Sequence, residues 1–179
     1  SAILAATGPA ALGQLGYAVK PEFRDRESIT NLRRYLYDWQ RRMKARYMAI
    51  SLPPTFDENS PVWVPLTNSV LPVAEHLGIP VALMMGVERQ WNPNLGQAGD
   101  GVGVAKIAPL RQLAEMFPDA RIWATVLSPQ NEYEFAITCR KFGNITPFGG
   151  WWWRNSRALL PEIVRMRLSL LGCSWIGNN

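Results

Sequence analysis

The chain has 179 residues and a mass of 20.1 kDa, enough for one domain. With 47% hydrophobic and 18% charged residues and a formal charge of +5, it reads as a core-forming, mildly basic globular sequence and not a disordered one. No apolar run approaches the ~18 residues of a membrane span, and a single histidine excludes a His-rich metal site built from this chain alone.

The apolar opening SAILAATGPAALG carries no positive leader and does not read as a signal peptide; within it, Ala2–Ala6 is the first strand-type run. Asp25–Arg46 follows as a helix: Ile29, Leu32, Leu36, Trp39 and Met43 repeat every three or four residues, and Asp25 is the expected N-cap. Eight basic residues from Arg24 to Arg46, with Lys20 just before, occupy its other faces. On one helix they read first as a solvated face, with the phosphates of a nucleic acid as the alternative partner. Tyr47–Leu52 is the second strand. Val62–Leu77 is a helix made irregular by Pro65 and Pro72 and stopped at Gly78, with His76 placed where its cation would favour the helix dipole. Pro80–Met85 is a strand, Lys106–Phe117 a helix and Arg121–Leu127 a strand. Ser128-Pro129 reads as N-cap and first residue of a helix ending at Gly143. Asn144–Phe148 is a strand, Asn155 the expected cap of a helix running to Leu171, and Cys173–Ile176 a last strand.

The order β-α-β-α-β-α-β-α-β-α-β predicts an α/β fold with a parallel sheet of about six strands and five helices. At roughly 30 residues per unit, residues 1–179 correspond to a single partial (β/α)8 TIM-barrel domain missing its first strands and final helix. An open six-stranded sheet is the alternative. Both folds place ligands beyond the C-terminal ends of the strands. That directs attention to Thr7–Gly13, Ser51–Glu58, Gly86–Gly103, Ser128–Glu132, Gly149–Asn155 and Gly177–Asn179. Cys139 and Cys173 fit neither a disulfide framework nor a metal knuckle, so a reducing compartment, the cytosol, is expected.

Two of these loops carry chemistry. Met84–Gly103 is long for a strand-to-helix connection and gathers Glu88, Arg89, Gln90, Trp91, Asn92 and Asn94. An arginine fork, amides and an indole face suit a polyhydroxylated anion; the bland alternative is a solvated surface loop. Gly99-Asp100-Gly101-Val102-Gly103 lacks the Lys-Ser/Thr of a phosphate-binding loop and reads as a flexible turn. Phe148–Asn155 holds Trp151, Trp152 and Trp153, which either stack on a sugar or fill the top of a barrel. Glu88, Asp100 and Glu132 are the acid/base candidates at strand ends. No Ser-His-Asp or Cys-His arrangement is present, because the lone His76 sits at the wrong end of its helix.

At these loops the sequence resembles the uronate isomerase (glucuronate isomerase) family of amidohydrolase-type barrels. Leu83-Met84-Met85-Gly86 followed by Glu88-Arg89-Gln90-Trp91-Asn92 resembles the family strand L-H-I-G and its Arg-Asn-rich loop. Ala124–Pro129 resembles the strand ending Thr-Leu-Asn-Pro, and Gly150-Trp151-Trp152 the family's G-W-W. The resemblance covers about Tyr47 to Trp175, roughly the C-terminal half of a family barrel. It implies aldose–ketose isomerisation of a sugar acid such as D-glucuronate to D-fructuronate in an intact barrel. Substrate binding falls to Arg89, Trp91, Asn92, Asp100, Trp151, Trp152 and Trp153, with Glu88 the one catalytic candidate in the chain. The family's metal-binding HxH pair and its late Asp have no counterpart here. Met84 stands where the family has histidine, and Leu52 where it has an Asp, so a non-catalytic sugar-acid-binding or structural paralogue is the alternative. The expectation is therefore no metal held by this chain, zinc only in an intact protein, and no isomerase activity for the isolated chain. The partners expected are a small sugar acid and a second copy or a complementing barrel segment, with no membrane and no nucleic acid.

Overall fold

The computed structural model describes residues 8–173. Four parallel strands form its centre: β1 (Met48–Leu52), β2 (Val81–Met85), β5 (Ile122–Val126) and β6 (Ile145–Pro147), side by side in the order β1-β2-β5-β6. A short antiparallel hairpin, β3 (Val87–Glu88) with β4 (Gly101–Val102), stands apart from this sheet. The expected strands at 47–52, 80–85, 121–127 and 144–148 are thus present with their ends trimmed. Ala2–Ala6 and all but Cys173 of Cys173–Ile176 lie outside the described residues. Among the described residues the strand order runs without the reversal that a doubly wound sheet carries.

The strands are held by burial of one face. Alternate side chains of a strand point to opposite faces. Ile50, Leu52, Val81, Leu83, Met85, Ile122, Ala124, Val126 and Ile145 belong to one core, into which Leu71, Leu110, Leu113 and Phe135 pack from the helices. Those helices are α4 (Leu71–Leu77), α5 (Ala108–Met116) and α6 (Glu132–Lys141); α7 (Leu159–Leu171) lies against α6. No described helix is long and apolar enough to cross a membrane.

Helix α2 (Arg26–Met43) starts where its sequence places it. Asp25 accepts the Ser28 N–H at 3.0 Å, and Lys44 closes the helix in a left-handed conformation. Its stripe packs with α1 (Gly8–Gln14) through Leu12, Phe23, Leu32 and Tyr35. Residues 8–14 are therefore helical and do not form the strand-end loop expected over Thr7–Gly13. The basic face of α2 is partly engaged: Arg33 donates to Asn68 O, Arg34 donates to Gly16 O and lies over Tyr17, and Arg42 covers Trp39.

The irregularity expected of Val62–Leu77 has a specific form. A short helical turn, α3 (Trp63–Pro65), widens into a π-turn at Leu66–Val70 before α4 begins. Pro72 has no N–H to give Asn68 O, and its ring crowds that carbonyl. The Leu71 N–H bonds Leu66 O instead, and Arg33 Nε takes up Asn68 O at 2.8 Å. Gly78 ends α4 at φ +63°, and His76 in the last turn meets the ring of Tyr37 edge-on. Ser128 caps a 3-10 turn at Pro129–Asn131, and α6 follows directly. Asn155 does not cap α7; the Ser156 hydroxyl accepts the Leu159 N–H at 3.2 Å.

The one-face burial is testable in neighbouring residues. Leu83→Ala, in the core, should cost about 2–5 kcal/mol in urea denaturation. Met84→Leu, on the opposite face, should cost less than about 1.5 kcal/mol. Equal losses would contradict the assigned faces.

Candidate functional site at the C-terminal rim

Because the four strands are parallel, the loops after β1, β2, β5 and β6 leave from one edge of the sheet. The loop after β2 turns at Gly86, whose φ is +100° and where a Cβ would lie 2.8 Å from Gly103 O. Only glycine suits both constraints. The hairpin then pairs Val87 with Val102 and Glu88 with Gly101.

Asp100 is the clamp of this loop. Its side chain is buried, its Oδ1 accepts the Gln90 N–H at 3.1 Å, and its Oδ2 pairs with the Arg89 guanidinium. Gln90 itself is held at φ +53°. The Gln90 N–H and then the Arg89 guanidinium keep the Asp100 carboxyl below the usual carboxylate range, against the opposing effect of desolvation. With a lowered pKa, the stability Asp100 contributes is full above its ordinary value near ~4 and is lost as pH falls through its folded value. Arg89 keeps a side-chain exposure of 59% beyond this pair. Trp91 covers Gly101 so closely that a Cβ there would meet the indole at 2.1 Å, yet the residue remains exposed. Asn92 accepts the Asn94 N–H at 3.2 Å and caps a 3-10 segment at Pro93–Gly99. Exposed Glu88 reaches toward Gly103, where a Cβ would lie 3.2 Å from Glu88 Oε2. Four sequence-predicted residues thus build the loop, and Asp100 faces inward as its anchor.

The loop after β6 carries the tryptophans. Gly149 and Trp152 take positive φ, +55° and +51°, which fold the segment into a 3-10 turn at Trp152–Arg154. Trp152 and Trp153 stack with centroids 5.0 Å apart and planes 20° apart, and Trp151 tilts against Trp152 at 5.9 Å. Trp153 is 52% exposed, while Trp151 and Trp152 are half-buried.

Beneath them lies a cluster the sequence reading largely missed. Arg154 and Arg167 are fully buried, and both pair with buried Glu132 at the start of α6. Arg167 Nε donates to Glu132 Oε1 at 2.7 Å and its Nη1 to Gly149 O at 3.0 Å, while Arg154 Nη1 donates to Val126 O at 2.7 Å. Burial pulls the Arg154 pKa down, and Glu132 opposes that shift. The cluster ties the end of β5, the tryptophan loop, α6 and α7 together, so Glu132 is a structural ion. The available signal was Arg167 four residues after Ile163 on the inward face of α7, an arginine on an apolar stripe. Asn131 adds a second tie, exchanging both hydrogen bonds with the Ala105 backbone at 2.9 and 2.8 Å.

The sheet face opposite the core also reaches this rim. Ser51, Met84 and Thr125 lie in register across β1, β2 and β5 at its C-terminal end. Hydroxyls and a thioether are poor zinc donors, and no cluster of three or more His, Cys, Asp or Glu occurs among the described residues. The residues present do not fit the metal that the resemblance implies for an intact barrel.

No protein-family model and no curated protein matches the chain. Solved structures do. A uronate isomerase from Bacillus halodurans superposes with a TM-score of 0.87 at 40% identity, covering 92% of this chain and 39% of that one. A uronate isomerase from Thermotoga maritima (TM-score 0.77) and a glucuronate isomerase from Caulobacter crescentus (0.74) share the fold at 13% identity each. They cover 94% and 95% of this chain, and 45% and 43% of their own. The chain thus spans about two-fifths of the structures it matches.

The buried cluster sets a clear expectation. Glu132→Ala leaves two buried guanidiniums without their shared carboxylate and should cost about 3–5 kcal/mol in chemical denaturation. A loss below ~1 kcal/mol would contradict its role as the tie of the rim.

Proposed function

We propose that residues 1–179 form the substrate-binding side of a uronate-isomerase-like (β/α)8 barrel. The supporting observation is the 40% identity and TM-score of 0.87 to a uronate isomerase over 92% of the chain. In this reading Arg89, with one nitrogen committed to Asp100, offers its exposed edge to the carboxylate of a sugar acid such as D-glucuronate. Asn92 and Trp91 meet hydroxyls and C–H groups beside it. The exposed face of Trp153, backed by Trp152 and Trp151, stacks on the sugar ring. Asp100 serves the site indirectly by fixing Arg89.

Aldose–ketose isomerisation moves a proton between neighbouring carbons of the sugar. Within the chain, exposed Glu88 is the carboxylate available for that task; the remaining groups would come from the rest of an intact barrel. A second reading, a non-catalytic sugar-acid binder, is favoured by one observation. Met84 lies between Ser51 and Thr125 on the open face, and none of the three moves a proton at neutral pH.

Calorimetry of the chain with D-glucuronate tests the binding assignment. Binding is expected, and Arg89→Ala should weaken it roughly tenfold to a hundredfold, as for loss of a charge-assisted hydrogen bond. No conversion to the ketose is expected from the chain with added zinc. Absence of binding, or an Arg89→Ala variant that binds equally well, would overturn the assignment; zinc-dependent turnover would overturn the division of roles.

A further inference from the structure

The basic residues between Arg24 and Arg46 take no part in the C-terminal rim. Helix α2 ends shortly before β1 starts and α6 shortly before β6, so both helix C-termini lie at the N-terminal edge of the sheet, opposite that rim. Backbone hydrogen bonds define this edge: the Met48 N–H donates to Pro80 O at 3.0 Å, the Val81 N–H to Arg121 O at 2.9 Å and the Ile122 N–H to Asn144 O at 2.9 Å. Along it stand Arg41, Lys44 and Arg46 before β1, Arg121 before β5, and Arg140 and Lys141 before β6, all exposed. Arg121 and Lys141 line one shallow hollow of about 570 Å³, together with Asp119. Pairing sets these cations apart. The ion pairs among the described residues, Arg89–Asp100, Lys106–Asp57, Arg111–Glu134 and the Glu132 cluster, lie at the C-terminal rim or on the first halves of α5 and α6. The edge cations have no side-chain partner among the described residues, and the acids at their end, Glu75, Glu115 and Asp119, are fewer. Arg41, Arg140 and Lys141 also offset helix dipoles from the last turns of α2 and α6. Arg46 and Arg121 lie beyond the helices and have no such role.

We infer that this edge is a docking surface for the phosphate backbone of a single-stranded nucleic acid. The charges are complementary, and most of the cations are arginines, whose planar fork pairs with phosphate oxygens. The row runs from the entry of β1 to the entry of β6, three strand spacings or about 14 Å. One row of cations follows one backbone, whereas a duplex presents two. A membrane surface fits less well, because the apolar stripe of α2 is buried against α1 and cannot enter lipid. Contacts to phosphates carry no base sequence, so no sequence preference is expected. In the sequence α2 shows only as one basic face, and the expectation of no nucleic acid rests on that face alone. The fold adds Arg121 and Lys141 along the same edge. The surface lies at the opposite ends of the strands from Arg89 and the tryptophans, so the inference is independent of sugar-acid binding.

The test titrates the 179-residue chain into a labelled oligothymidylate of about 20 nucleotides and reads fluorescence anisotropy. Binding is expected at low salt, with the logarithm of the affinity falling linearly as the logarithm of salt rises. Arg46→Gln combined with Arg121→Gln removes two phosphate contacts. It should weaken binding roughly tenfold at about 50 mM salt and flatten the salt slope by about 1.4. Arg24→Gln combined with Arg26→Gln lowers the net charge equally at the other end of α2, about 25 Å away, and should leave the affinity within about twofold of the wild type. Both pairs should keep the wild-type circular dichroism spectrum, since the replaced side chains are exposed and unpaired among the described residues. No anisotropy change, an affinity indifferent to salt, or equal losses in the two pairs would overturn the inference. So would binding to phosphatidylserine vesicles or polyglutamate with none to the oligonucleotide.

Discussion

Everything the molecule offers at its surface follows from the parallel register of β1, β2, β5 and β6. Parallel strands need crossover connections, and those connections bring their helices to the face that holds Leu83, Ala124 and Val126. The same geometry delivers every strand's C-terminal end to one edge. The loops bearing Arg89 and the tryptophans therefore share a rim although about sixty residues separate them in sequence. In the sheet they are only two strand spacings apart, about 10 Å at the strand ends.

The rim is held by ions more than by apolar packing. Asp100 locks the β2 loop from inside, and the Glu132–Arg154–Arg167 cluster locks the β6 loop to the end of β5. Two guanidiniums on one buried carboxylate are not an efficient source of stability, since desolvation offsets much of the attraction. They do fix geometry: carbonyls at Val126 and Gly149 receive donors whose positions are set by a third group. That fixed frame lets Trp152 adopt a positive φ and present the neighbouring Trp153 ring to solvent.

Much of this architecture was legible in the sequence, and the failures have identifiable causes. Apolar runs and their Gly, Ser and Asp punctuation placed four strands and the ends of α2 and α4, because burial and capping are local properties. That Arg89 and Asp100 pair with each other is not legible locally, since residues eleven apart meet only when the β3–β4 hairpin closes. Glu132 reads in the sequence as an acid/base candidate at a strand end, and Arg154 falls in the tryptophan segment with no role of its own. Nothing local says that Arg167, thirty-five residues beyond Glu132, completes the cluster. Asn155 closes the tryptophan turn, its N–H on Trp152 O, and Ser156 supplies the hydroxyl at the start of α7. The resemblance to uronate isomerases rests on the same rim segments, with Met84 at the end of the strand between Ser51 and Thr125.

The shared rim is the central claim, and paramagnetic relaxation enhancement tests it directly. A nitroxide at Asn155→Cys, with Cys173→Ser removing the exposed thiol, labels the tryptophan loop alone. Buried Cys139, its pKa pushed up to about 12 by desolvation, does not compete. The account predicts strong broadening of the Arg89–Asn92 amides and little at Asp119–Arg121, which enter β5 from the opposite edge about 17 Å away. Broadening at 119–121 with sharp signals at 89–92 would place the two loops on different sides of the sheet and contradict it.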